Sequence, residues 1–168
     1  MRGLVLGLVF LIVAVITAPQ SQADVNEVDR AFVPLAIQGS LSEIQEAQLA
    51  ERRSGSRDVK IFAQRMIRDH AQANTELKNI TNSMTDIDQP AKQSDAQKDD
   101  QLRLQELTGE AFDRTYMAMQ VQKHERMIER FEHQASWGGD MALRAFATKQ
   151  LPALREHLEM ARTLQAAQ

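Results

Sequence analysis

His70, His124 and His157 fall on the apolar stripes of three separate helical segments, and a fourth segment offers Glu43 at a comparable height. Glu43 precedes Gly55 by twelve residues and His70 follows it by fifteen; His124 precedes Gly138 by fourteen and His157 follows it by nineteen. At roughly 1.5 Å of rise per residue, all four lie about 18 to 28 Å from a turn, near the middle of helices roughly 28 residues long. One carboxylate and three imidazoles brought to one level form a donor set suited to a single transition-metal ion: zinc, iron, manganese or copper. A buried Glu43 needs a neutralising partner, which can be a histidinium, a metal ion or a proton. The alternative is a metal-free polar core in which the same groups hydrogen-bond one another, making the chain a structural or protein-interaction module.

The surrounding residues are expected to play supporting parts. His133, nine residues beyond His124, belongs on the opposite side of its helix and should face water. Glu46 lies on nearly the same side as Glu43 and reads as a boundary carboxylate or an extra ligand. Asp69 and Glu156 point about 100° away from their histidine neighbours, toward solvent or toward a role behind the ligands. Asp113 and Tyr116 are expected to cap or bridge helices, and Met66, Met117, Met119, Met127 and Met160 to fill the core.

These side chains depend on helices to position them. Apolar residues recur every three or four positions, glycine and proline are sparse, and no alternating strand pattern appears, so the chain is expected to be all-α. A first helix is expected from about Asn26 to Arg53, with Phe32, Leu35, Ala36, Gly39, Glu43, Ala47 and Ala50 inward and Pro34 near its first turns. Ser54-Gly55-Ser56 is a short reversal, after which Val59, Phe62, Met66, His70, Ala73 and Leu77 mark a second, antiparallel helix. A long connection follows Met84, with a short amphipathic piece around Leu102, Leu104 and Leu107. A helix from Gly109 carries Phe112, Met117, Val121, His124, Ile128 and Phe131 inward. It ends at Trp137-Gly138-Gly139, where Asp140 can cap the last helix and Pro152 is expected to kink it. Short, long and short connections suit a ferritin-like four-helix bundle with one crossover between helices two and three.

Composition narrows the function classes. The formal net charge is -3 and the charges are interspersed, so no basic face marks a partner for DNA or RNA. There is no cysteine, which removes disulfides, thiolate chemistry and iron-sulfur clusters. No phosphate-binding glycine loop, Gly-x-Ser-x-Gly elbow or His-Glu-x-x-His helix is present, so nothing points to a hydrolase or a nucleotide enzyme. The apolar run Leu4 to Ile16 and the small residues at Ser21-Gln22-Ala23 read as a signal peptide, residues 1–23, cleaved after Ala23. The remainder, 24–168, is expected to form one periplasmic domain with no integral membrane span.

The segments Val59-Lys60-Ile61-Phe62-Ala63 with Met66 and Asp69-His70, Phe112-Asp113 with Tyr116 and His124, and Phe146-Ala147 with Leu151-Pro152-Ala153-Leu154-Arg155-Glu156-His157-Leu158 carry a further signal. Together they resemble an exported bacterial family of unknown function, often labelled predicted outer membrane proteins and placed among ferritin-like bundles. The resemblance spans about Asp29 to Leu164 and puts Glu43, His70, His124 and His157 at the family's characteristic polar positions. It implies the fold rather than an activity. An outer-membrane barrel would need repeated strands of about 9 to 11 residues, which this sequence lacks. A periplasmic binding or envelope-stress module, associated with an envelope surface, is the expectation. The di-iron Glu-x-x-His pattern is missing, because Ile67, Val121 and Leu154 stand three residues before the histidines. A metal-dependent redox enzyme is therefore the weakest of the three readings.

Overall fold

A computed structural model describes residues 25–168, which are all-helical with no strand among them. The expected signal peptide lies outside the described residues. Four long helices, α1 (Glu27–Arg53), α2 (Arg57–Thr81), α4 (Gly109–Trp137) and α5 (Met141–Ala166), are joined by two tight turns and one long connection carrying the short α3 (Asp95–Gln105). Each start has a local cause. Asn26 and Asp29 close a capping box on α1, Ser94 and Gln97 do the same for α3, and Ser56 and Asp140 accept from Val59 N and Leu143 N. Gly109 opens α4 at φ +55°, a conformation that a side chain would oppose.

Helix α1 packs on α2 and α4, and α5 packs on α4 and α2, while α3 lies against α1 and α4. Asn26 Nδ2 donates to Trp137 O, so the start of α1 meets the end of α4. At the opposite end, Asp113 of α4 accepts from Gly55 N and Ser56 N in the α1–α2 turn. The long connection therefore carries the chain from one end of the helices to the other. Apolar burial is split between two clusters. One joins Phe32, Ile37, Leu77, Phe131, Phe146 and Leu154; the other joins Ala47, Phe62, Met66, Phe112, Tyr116 and Met117. The three histidines and Glu43 lie at the levels between them.

Several expectations need correcting. Leu35 is 42 % exposed, whereas Val33 and Ile37 are fully buried and pack with Leu77 and Ile87. Pro34 is the eighth residue of α1, well past the turn where its missing N–H would go unnoticed, so the Arg30 carbonyl lacks its helical donor. Within α3 only Leu104 is buried, and Leu102 faces solvent at 56 % exposure. Val121 and Ile128 are half-buried, and Gln120 and Met127 take the interior positions on α4.

Candidate metal centre

The helical period delivers His70 from α2, His124 from α4 and His157 from α5 to one point, each with 3 % exposure or less. Ring centroids are 5.8 Å apart for His70–His124, 5.6 Å for His70–His157 and 5.5 Å for His124–His157. One nitrogen from each ring lies within 4.8 Å of the others. Glu43 of α1 approaches the same point, with Oε2 3.1 Å from His70 Nε2 and Oε1 3.7 Å from His124 Nδ1. Neither contact has hydrogen-bond geometry, and both Glu43 oxygens are buried without a donor. His133 is exposed, as its place on α4 requires. All four residues singled out in the sequence thus meet, although Glu43 borders the imidazole triad rather than closing it into an equidistant set.

The hydrogen bonds of two rings fix which nitrogen is left free. His124 Nδ1 lies 2.9 Å from Gln120 O, and His157 Nε2 lies 2.9 Å from Asp69 Oδ2. A carbonyl or carboxylate oxygen only accepts, so on a neutral ring each of these nitrogens carries the proton. His124 Nε2 and His157 Nδ1 are left as lone pairs, and both are buried with no partner. A metal-binding histidine has this arrangement, with one nitrogen held by a carbonyl or carboxylate and the other free to ligate. Asp69 is held in turn by Arg65, whose Nε donates to the same Oδ2 at 3.2 Å and whose fork grips Glu156 at 2.7 and 2.6 Å.

Electrostatics follow from burial. Loss of water pushes Glu43 above the ordinary carboxylate range, against the opposing pull of His124, Lys123 and His157. Burial drives His70 down to about 3, helped by the neighbouring His124. It takes His157 down to about 4, with His70 adding to the effect and Asp69 opposing it. For Asp69, partial burial works upward, but the His157 and Arg65 hydrogen bonds together hold its carboxyl below the usual value. The imidazoles of His70 and His157 are therefore neutral near pH 7, the protonation state in which histidine ligates metals.

Glu46 corrects its sequence assignment as a boundary group or extra ligand. It is fully buried and already occupied: Ser42 Oγ donates at 2.7 Å, Gln120 Nε2 at 3.1 Å, and the Lys123 ammonium pairs with it directly. Asp100 of α3 lies 3.7 Å from the same ammonium. Lys123 and Gln120 were not singled out in the sequence, although both flank His124 on α4, and Gln120 stands one turn before it on the same face. Asp113 and Tyr116 play structural parts. Asp113 secures the α1–α2 turn, and Tyr116 stacks on Phe112 with ring centroids 5.7 Å apart. Beyond Glu43 lies a cleft of about 170 Å³, lined also by Ser42, Asp100, Lys123 and Arg126.

No helix among the described residues is long and apolar enough to cross a membrane. No curated protein and no solved structure matches the chain. A family profile matches residues 14–164, nearly the whole sequence, and by that match the chain belongs to the family described as a domain of unknown function (DUF4142).

Proposed function

We propose that this protein is an exported, periplasmic, ferritin-like four-helix bundle whose interior binds one transition-metal ion through His70, His124 and His157, with Glu43 as the fourth donor. The observation that carries this reading is the pair of buried, unpartnered imidazole lone pairs, His124 Nε2 and His157 Nδ1, on clustered rings whose other nitrogens are already anchored. An unpaired buried acceptor is costly, and a cation between the rings satisfies both acceptors and the Glu43 carboxylate together. Ligand atoms each about 2.1 Å from an ion are roughly 3.4 Å apart in a tetrahedral site. Binding would therefore draw the rings inward by an ångström or so from their present separations.

Three imidazoles and a carboxylate suit zinc, iron, manganese or copper. Export and the cleaved segment 1–23 rest on the sequence of the N-terminus, and envelope association rests on the family resemblance. The bundle reading draws on the helix contacts and on the long connection between α2 and α4. A binding role suits these residues better than redox turnover, because Glu43 is the one carboxylate at the centre without a donor.

The test is metal analysis of the purified protein, followed by thermal unfolding with and without a chelator. About one ion per chain is expected. At free metal 100 times its dissociation constant the bound state gains roughly 2.7 kcal/mol, which appears as a higher melting temperature. Absence of bound metal, together with unchanged melting on adding zinc, iron, manganese or copper, would favour the metal-free structural module.

A further inference from the structure

The His70 and His157 side of the cluster borders a small cavity that neither the triad nor Glu43 fills. Its walls include the apolar side chains of Leu77, Phe146 and Leu154. Ser40, Asp69, Gln150 and Asn74 also line it; Asn74 stands one turn beyond His70 on the same face of α2 and is 8 % exposed. Asn74 Oδ1 is a buried acceptor with no partner. About 20 Å³ of the cavity is open to the centre of a water molecule. About 10 to 15 Å³ is enough to hold one water, which also needs at least two polar partners.

From this we infer that the centre has an open position on the His70/His157 side, which takes one water-sized ligand held by Asn74. The inference rests on the metal-binding reading and gives that centre its exchangeable ligand. A water there donates one proton to Asn74 Oδ1 and turns its oxygen toward the ion, so the amide acts as a positioning group and not as a ligand. The apolar walls limit the ligand's size. A space of about 20 Å³ for the centre of a water suits a water molecule better than an organic carboxylate or a phosphate.

Copper(II) is a suitable probe, because its spin reports nearby exchangeable protons. The full chain would be titrated with copper(II), then transferred to deuterated water and studied by pulsed electron paramagnetic resonance. The expected result is one copper per chain, imidazole nitrogen couplings, and the deuteron signal of a single bound water. Asn74→Leu, which replaces the acceptor with an apolar group of similar size, should keep the copper stoichiometry and imidazole couplings but lose that signal. Failure to take up copper overturns both the metal reading and this inference. Copper bound by imidazoles whose only exchangeable deuterons are the weakly coupled ones of the imidazole N–H groups overturns the inference alone, and so does a strongly coupled water deuteron that persists in a folded Asn74→Leu protein.

Discussion

Asp29 and Glu43 are carboxylates of the same helix, each with 1 % exposure or less, yet they have opposite surroundings. Asp29 sits where α1 meets the α4–α5 turn and receives four hydrogen bonds. Gln134 Nε2 donates to Oδ1 at 2.6 Å, and the backbone N–H groups of Asn26, Gly139 and Asp140 donate to Oδ2 at 2.9, 2.9 and 3.0 Å. Glu43, about four turns further along, receives none and faces imidazoles that also lack inward partners. Burial alone therefore does not separate structural from chemical carboxylates. What separates them is whether the protein supplies the donors that replace lost water.

The largest expected effect comes from breaking the saturated member of the pair. Asp29→Ala orphans four donors at a junction of α1, α4 and α5 and should cost on the order of 4 kcal/mol in urea unfolding. Glu43→Gln, which replaces a carboxyl that lacks a donor with an amide of the same shape, should change the metal-free protein by less than about 1 kcal/mol. Equal losses from the two substitutions would end the distinction between them.

Glu46 extends the comparison to a carboxylate three residues from Glu43 that has its own cation. Removing only that cation, in Lys123→Met, leaves a buried carboxylate uncompensated and should cost about 3 kcal/mol. Adding Glu46→Gln to the same chain should recover most of the loss. A double-mutant cycle checks this, and additive losses would show that the pair is not coupled.

The triad and the Glu46–Lys123 pair also differ in how far the sequence discloses them. Helix phase and distance from two short turns were enough to bring His70, His124 and His157 together, because an α-helix converts residue number into height and angle with little freedom. The starts of α1, α2, α4 and α5 are equally legible from Asn26, the Ser54-Gly55-Ser56 break, Gly109 and Asp140. Lys123 escaped notice because a lysine beside a stripe normally reaches solvent. Its inward ion pair depends on α3 covering that side of α1 and α4. The cavity beside Asn74 is a difference between neighbouring side-chain volumes and has no sequence pattern.

Acid sensitivity separates the imidazoles from Glu43 by sign. His70 and His157 stay neutral in the folded chain down to about 3 and about 4, whereas an unfolded imidazole protonates near 6.5. Between those values the unfolded state binds more protons. Their contribution to stability is complete above pH about 6.5 and is lost as pH falls through 4 toward 3. Glu43, raised by burial, acts in the opposite direction and favours the folded state once protonated. The metal-free protein should melt at progressively lower temperature from pH 7 to pH 4, with a shallower slope in His70→Phe. An unchanged slope in that variant would assign the acid response to other groups.

X-ray absorption at the metal edge of protein loaded with one zinc per chain measures the donor set directly. Three imidazole nitrogens are expected around the zinc, with loss of stoichiometric binding in a folded His124→Phe protein. A shell without histidine nitrogens, or tight binding that survives that substitution, would contradict the metal-binding reading.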